Sequence, residues 1–192
     1  VTATEQVTDK LLKLNPLFLY VPLFLLLRDR EFYTRVVRRV RLAAVLPRVI
    51  HDAQLGEITR QLDQVYDLGV RYVLRGNLGQ IPVAKARGFA ICGDFGLNLW
   101  NSRSMNIMRT LGLASATVSF ELTLPQIRDL SKAVPAEAIF YGRLPLMVTE
   151  NCLIRGRTGR CDCRSGATRL MDRKGEEFPV IRDCGTCRSV VL

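Results

Sequence analysis

The sequence is poor in histidine and in aromatic residues. Only one of its 192 residues is a histidine, His51, and aromatic residues make up 7%. A single histidine excludes metal sites built from several imidazoles. The motifs HExxH, GxSxG, GxGxxG and GxxxxGK are absent. The sequence therefore carries no signature of a zinc protease, a serine hydrolase or a nucleotide-binding loop.

The sequence also lacks an apolar run long enough to span a bilayer. Its most apolar stretch, residues 17–27, has eleven residues, whereas a membrane helix needs about 20. No small-residue cleavage site follows it, so we predict a buried strand or core helix and not a signal peptide. Without an export signal we expect a cytoplasmic, reducing environment. Both ends look cut, and we expect a fragment of a longer protein.

Positive charge exceeds negative charge. Lys and Arg number 28 against 18 Asp and Glu, a formal net charge of +10. The excess is concentrated in residues 1–50 and 141–192. A basic surface attracts RNA or another anionic partner. The alternative is a solvated basic surface with no role in nucleic-acid binding.

Short apolar runs separated by helical patterns indicate an α/β fold. The runs that predict strands are Val40–Leu46, Val70–Leu74, Phe89–Cys92, Ala116–Phe120 and Ala138–Tyr141. The helical stripes between them are built on Ile58, Leu62 and Val65, on Met105, Met108 and Leu111, and on Leu124, Ile127, Leu130 and Val134. Strands that begin 20–30 residues apart are typical of a parallel βα-repeat, as a barrel or an open sheet. We predict this repeat over residues 1–148 and a cysteine-rich segment over 149–192.

Polar residues gather just after the predicted strands, where parallel α/β proteins form their active sites. The candidate catalytic residues are Asp94, Glu121 and His51. The candidate substrate-binding residues are Asn77, Asn98, Tyr141 and Arg143. Each also has a structural interpretation, such as a cap or turn for the two acids and a hydrogen-bonded structural role for the histidine.

Five of the six cysteines lie near the C-terminus. They are Cys152, Cys161, Cys163, Cys184 and Cys187, whereas Cys92 stands alone on a predicted strand. Clustered thiolates in a reducing environment bind zinc or an iron–sulfur cluster. In one arrangement, the CxC and CxxC motifs form a closed zinc site without Cys152. In the other, Cys152 takes part and the site holds an iron–sulfur cluster. The spacing leaves both arrangements open.

Several long strings resemble one known family. These strings read AAVLPRVIHD, GNLGQ, GDFGLNLWNS, YGRLPLMVTENC and GRCDC. They are similar to peptidase family U32, the collagenase-like peptidases, and above all to its longer bacterial members. Glu137, Ile139 and Gly142 match the opening of the family signature. The first cysteine of that signature would fall at Pro145, and in this sequence the cysteine comes later, at Cys152.

The resemblance implies a TIM-like barrel that the rest of a parent chain completes. It implies a four-iron four-sulfur cluster held by Cys152, Cys161, Cys163 and Cys187, with Cys184 as the substitute. Better-understood relatives are oxygen-independent hydroxylases of ribosomal or transfer RNA or of a quinone precursor, a small aromatic molecule, with prephenate as oxygen donor in some. The family name implies a peptidase instead. A third interpretation is a zinc-stabilised binding domain without catalysis.

Overall fold

The structure is a computed structural model that describes residues 1–160, 168–183 and 187–192. The chain divides into two compact units, Val1–Ile139 and Phe140–Leu192. The predicted division into 1–148 and 149–192 follows cysteine content and not compactness, and it stays a prediction.

The first unit alternates strands with helices. Its strands are β1 (Leu19–Pro22), β2 (Leu42–Val45), β3 (Tyr72–Arg75), β4 (Ala90–Gly93), β5 (Ser115–Thr117) and β6 (Ala136–Glu137). Its α-helices are α1 (Asp9–Lys13), α2 (Leu23–Arg28), α3 (Arg30–Val36), α4 (Asp52–Asp67), α5 (Ile81–Lys85), α6 (Ser102–Thr110) and α7 (Leu124–Asp129). Three short 3-10 helices cover Thr4–Gln6, Leu78–Gln80 and Phe95–Leu97.

The six strands form one parallel sheet in chain order, from β1 to β6. The hydroxyl of Tyr20 on β1 lies 2.7 Å from both carboxylate oxygens of Glu137 on β6. In a flat sheet these edge strands would be about 24 Å apart, because neighbouring strands are spaced by about 4.8 Å. The sheet is therefore curled into a half-barrel. The predicted parallel βα-repeat and partial TIM-like barrel are confirmed.

The outer face of the sheet carries the apolar core. A row of residues in register, Val21, Ala44, Val73 and Ile91, is buried there. The apolar stripes of α4 and α6 belong to the same core through the buried residues Ile58, Leu62, Val65, Met105 and Met108. Both stripes were predicted from their helical spacing.

The apolar run at residues 17–27 forms two elements. It supplies β1 and then α2, and Pro22 is both the last residue of the strand and the N-cap of the helix. Proline lacks an amide hydrogen and so cannot continue a ladder, but it is tolerated where a helix begins. The alternatives of a strand and a core helix are thus both realised.

Two predicted elements are wrong in their bounds. The last strand is β6 and not Ala138–Tyr141, because the last residue of β5, Thr117, pairs with Glu137. Tyr141 is 95% exposed. The third helical stripe is also shorter than predicted: α7 ends at Asp129, and its first residue, Leu124, is 79% exposed.

The second unit contains an antiparallel sheet. Its elements are β7 (Met147–Thr149), α8 (Leu153–Thr158), β8 (Thr168–Met171), β9 (Glu177–Asp183) and β10 (Arg188–Val191). The strand order is β7-β10-β9-β8. Among the helices that the structure describes in either unit, none combines the length and the apolar character needed to cross a bilayer.

The contact between Tyr20 and Glu137 predicts a measurable stabilisation of the curled sheet. Replacing Tyr20 by Phe removes the hydroxyl that joins β1 to β6, and we expect the free energy of unfolding to fall by about 1 kcal/mol. Tyr72 is a matched control, since it stands in the same register row on β3 and its hydroxyl makes no hydrogen bond within the described residues. Tyr72→Phe should change the free energy of unfolding by less than about 0.5 kcal/mol. Equal effects of the two changes in urea denaturation would contradict this account.

Candidate active site and cysteine segment

The inner face of the half-barrel carries a cluster of polar side chains. Glu137 on β6 accepts a hydrogen bond from Tyr20 on β1 and a second, of 2.6 Å, from the Ser115 hydroxyl on β5. Cys92 on β4 pairs in register with Ser115 and interacts with both Ser115 and Tyr20. Four strands thus contribute one polar side chain each to a single cluster.

Burial changes the acidity of two members of this cluster. It raises the pKa of the Tyr20 hydroxyl, and the hydrogen bond to Glu137 raises that pKa further. Burial also raises the pKa of the Cys92 thiol. Both groups therefore hold their protons at neutral pH, and Tyr20 acts as a hydrogen-bond donor to the carboxylate.

Asp94 follows β4 directly and is a second carboxyl group at the carboxyl ends of the strands. Its Oδ1 accepts a 2.8 Å hydrogen bond from the amide of Phe95. Burial raises the pKa of Asp94 above its ordinary value. The hydrogen bond from the Phe95 amide and the positive charge of Arg48 lower that pKa, whereas the charge of Glu137 raises it. Asp94 therefore holds its proton to a higher pH than an exposed aspartate does, and the charge of Glu137 contributes to that shift.

Two glycine-containing loops pack closely beside Asp94. A Cβ atom on Gly96 would come within 3.1 Å of the carbonyl oxygen of Gly76, so any larger residue there would push the loops after β3 and β4 apart. The loops border an open cleft with a volume of about 410 Å³. Its lining residues are Arg48, Val49, Gly76, Asn77, Leu78, Gly96 and Leu97.

The two predicted asparagines make local hydrogen bonds. Asn77 lines the cleft, and its Oδ1 accepts a 2.9 Å hydrogen bond from the amide of Gly79. Asn98 has a left-handed backbone conformation, φ 58°, at the end of a 3-10 helix, and its Oδ1 accepts a hydrogen bond from Trp100 Nε1. The substrate-binding role of both residues stays a prediction.

The remaining predicted site residues are exposed. His51 is the N-cap residue of α4, and its amide donates to Gln54. Glu121 lies in the loop between β5 and α7, and its amide approaches the Ser119 hydroxyl. Tyr141 and Arg143 belong to the second unit. Among the described residues, Arg48 and Glu137 are the charged groups whose fields act on the pKa of Asp94.

The described cysteines of the second unit lie at one end of a strand pair. Ser189 on β10 pairs with Thr149 on β7 in antiparallel register. Cys187 precedes Ser189 by two residues and Cys152 follows Thr149 by three, so both cysteines leave the pair at the same end. The amide of Leu153 approaches the Ser189 hydroxyl at 3.4 Å, which ties the two segments together. Both thiols are free of disulfides, and Cys152 is buried.

An ion pair joins the same two segments. Arg188 Nη2 lies 2.8 Å from Glu150 Oε1, and the Arg188 side chain is only 8% exposed. Glu150 stands two residues before Cys152, and Arg188 follows Cys187 directly. The pair therefore fixes the backbone next to each described cysteine.

The metal-ligand prediction reaches beyond the described residues. Cys161, Cys163 and Cys184 lie outside them, and within them no three cysteine, histidine or acidic side chains converge. The two described thiols have the chemical character that a soft metal or a cluster requires, and both leave the same end of the β7–β10 pair. The ligand set of Cys152, Cys161, Cys163 and Cys187, with Cys184 as substitute, stays a prediction.

The sequence interpretation missed the cluster around Glu137. Tyr20 was hidden within an apolar run, and Ser115 and Arg48 carry no local motif. Glu137 did have a signal in the sequence, because it is the first residue that matches the family signature. That match served only to locate the position of the first cysteine of the signature.

Comparison with protein families agrees with the resemblance carried by the sequence. Two of the strings that carry it, GNLGQ and GDFGLNLWNS, include the loops after β3 and β4. A sequence model described as peptidase family U32 matches residues 33–167, more than two thirds of the chain. The chain belongs to peptidase family U32. The matched region includes β2 to β6 and three of the clustered cysteines, and it ends before Cys184 and Cys187. No curated protein matches this U32 chain.

The raised pKa of Asp94 predicts how the stability of this U32 protein depends on pH. Below about pH 4 the carboxyl is protonated in both the folded and the unfolded chain and contributes no pH dependence. As pH rises through that value, the Asp94 carboxyl loses its proton in the unfolded chain before it does so in the folded chain. The free energy of unfolding therefore falls until the folded carboxyl also ionises. Asp94→Asn removes this loss. The stability of the variant relative to the wild type should therefore increase from pH 3 to pH 7 in urea denaturation.

Asp63→Asn is the control for this comparison, because Asp63 is an exposed acid in an ion pair with Arg87. It should not gain stability between pH 3 and pH 7. A constant difference between Asp94→Asn and the wild type over that range would contradict the assigned environment of Asp94.

Proposed function

We propose that this U32 protein is an iron–sulfur-dependent, oxygen-independent hydroxylase that acts on RNA. The observation that carries the proposal is that Cys152 and Cys187 leave the strand pair of β7 and β10 at the same end. Two thiols without disulfides, on segments joined by the ion pair of Arg188 with Glu150, are suited to a fixed metal centre. Family membership supports an enzyme but does not select the reaction.

The cysteines have the chemical character that a cluster requires. Four thiolates are the usual ligands of a four-iron four-sulfur cluster, which supplies one-electron redox chemistry when bound. In the proposal, Cys152 and Cys187 hold the group together with Cys161 and Cys163, and Cys184 is the substitute for one of these four ligands. The ion pair of Arg188 with Glu150 acts on their orientation, as a supporting shell does in metal sites.

The polar cluster of the half-barrel would supply proton transfer. Asp94 is a carboxyl that burial keeps protonated to higher pH, and Glu137 accepts hydrogen bonds from Tyr20 and Ser115. Hydroxylation of a base needs proton movement as well as electron transfer, and such a pair provides a donor and an acceptor. We propose this pair for the role, and the predicted set of Asp94, Glu121 and His51 stays a prediction.

Surface charge supports RNA as the substrate. The net charge is +10, and exposed arginines follow Cys152 at positions 155, 157 and 160. None of the three has an acidic partner among the described residues. Arginine binds phosphate through two parallel hydrogen bonds, so these residues are suited to the RNA backbone.

The peptidase interpretation rests on the family name. Its chemistry would need a nucleophile with a base, and the only histidine is the exposed N-cap residue of α4. Cys92, the cysteine of the half-barrel, is fully buried and has a raised pKa, which opposes a nucleophilic thiolate. Cleavage of gelatin by the metal-free protein would favour a peptidase over the proposed hydroxylase.

The first prediction from the proposal concerns metal content. Anaerobically purified or reconstituted protein should contain about four iron and four sulfide per chain. Cys152→Ser and Cys187→Ser should each lose most of both, because a ligand is removed. Cys92→Ser is the matched control and should keep the wild-type content. Zinc without sulfide would overturn the proposal and leave a structural metal site.

The second prediction concerns the product. RNA from cells that lack the gene should lack a hydroxylated nucleoside that mass spectrometry detects in wild-type ribosomal or transfer RNA. The wild-type gene should restore it, and Cys152→Ser and Glu137→Gln should not. Full restoration by Cys152→Ser would show that the cluster is not needed for the reaction.

A further inference from the structure

The amino ends of β1 and β2 carry a basic groove that the proposed function does not use. The groove has a volume of about 460 Å³. Residues from the loop before β1 and from the turn between α3 and β2 line it, namely Asn15, Pro16, Leu17, Val37, Arg38, Arg39, Val40 and Arg41. The candidate active site lies at the carboxyl ends of the strands, so the groove is a separate surface of the first unit.

Positive charge in this groove exceeds the negative charge beside it. Three of the described lining residues are arginines, and none of them is an acid. Arg39 forms a 2.7 Å ion pair with Asp9 on α1, and the charge of Lys13 also lowers the pKa of that carboxyl. Arg38 and Arg41 are exposed and form no ion pair within the described residues. An exposed groove with an excess of cations attracts an anionic partner.

Backbone hydrogen bonds anchor both walls of the groove. The amide of Leu19, the first residue of β1, donates a 2.9 Å hydrogen bond to the carbonyl oxygen of Arg41. The amide of Val40 donates a 3.1 Å hydrogen bond to the carbonyl oxygen of Val36, the last residue of α3, and the Val40 side chain is buried. The turn that carries Arg38 and Arg41 is therefore fixed to the sheet and to α3.

Two leucines of the loop before β1 are exposed beside these cations. Leu14, the C-cap residue of α1, is 74% exposed, and Leu17, which lines the groove, is 69% exposed. Aliphatic side chains next to Lys and Arg are typical of segments that lie on anionic membranes, where the cations meet the headgroups and the leucines enter the acyl region. Bound RNA would leave the leucines without a role. None of the described lining residues is aromatic, so the groove offers no ring on which a base could stack.

We propose that this end of the half-barrel binds the surface of an anionic phospholipid bilayer. Arg38 and Arg41 contact the phosphate headgroups, and the side chains of Leu14 and Leu17 enter the acyl region. All of these residues belong to the first unit, so binding requires neither the proposed cluster nor the hydroxylase reaction. A protein that binds vesicles but carries no iron would refute the hydroxylase and leave this surface standing.

Co-sedimentation of the full chain with lipid vesicles tests the proposal. The protein should sediment with vesicles made of equal parts of phosphatidylcholine and phosphatidylglycerol, and not with vesicles of phosphatidylcholine alone, because the headgroups must be anionic. Sodium chloride should weaken binding because it screens the arginines. Sodium phosphate at the same ionic strength should weaken binding to the same extent. A much stronger effect of phosphate would contradict the proposal and make the groove a site for the free ion.

Variants at exposed positions separate the role of the cations from that of the leucines. Arg38→Gln and Arg41→Gln should each weaken binding to the anionic vesicles about fivefold, the effect of one cation near such a surface. Arg103→Gln is the control for charge, because it removes an exposed arginine at the start of α6, and it should leave binding unchanged. Leu17→Ser should weaken binding about tenfold, because its apolar side chain is lost. Leu124→Ser removes a leucine of similar exposure at the start of α7 and should leave binding unchanged.

Three further results would overturn the proposal. The first is equal sedimentation with the two kinds of vesicle, or sedimentation with neither. The second is wild-type binding by both Arg38→Gln and Leu17→Ser. The third is binding of a single-stranded RNA oligonucleotide that Arg38→Gln weakens, in a protein that binds no vesicles. That last result would make the groove an RNA contact.

Discussion

The hydrogen bond between Tyr20 and Glu137 is the constraint on which the first unit depends. It joins the two edge strands of a six-stranded sheet, and a flat sheet cannot make it. Curling separates two environments with different chemistry. The outer face packs aliphatic side chains against helices, whereas the inner face gathers a phenol, a carboxylate, a hydroxyl and a thiol. The candidate active site is therefore a direct consequence of how far the sheet bends.

The two units divide the chemistry between them. In the first unit, the strand ends hold the carboxyl groups of Asp94 and Glu137, and Arg48 acts on the pKa of Asp94. In the second, two thiols without disulfides leave one end of an antiparallel strand pair, and the ion pair of Arg188 with Glu150 joins the segments that carry them. In the proposed enzyme, residues at the parallel strand ends would transfer protons, and the cysteine segment would hold the metal. An active enzyme of the proposed kind would need both.

The sequence predicted the fold better than the site. Apolar runs with 3.6-residue stripes between them locate β2 to β5, α4 and α6, because burial imposes a period on each element. β6 was misplaced because its pairing depends on a polar residue, Glu137, and not on the exposed apolar run beyond it. Asp94 was found because it follows a strand directly. Tyr20 and Ser115 were missed because their importance comes from contacts with Glu137, which lies far away along the chain, and no local pattern records such contacts.

The same hydrogen bond limits the gap between the sheet edges. From bond lengths of about 1.5 Å, the side chains of Tyr20 and Glu137 reach about 6 Å and about 5 Å, and with the 2.7 Å contact they span at most about 14 Å. Three strand spacings of about 4.8 Å cover that distance, which leaves room for about two strands between β6 and β1. Six strands and two more make the eight of a closed TIM barrel. The curvature of the six strands is thus consistent with a partial TIM-like barrel.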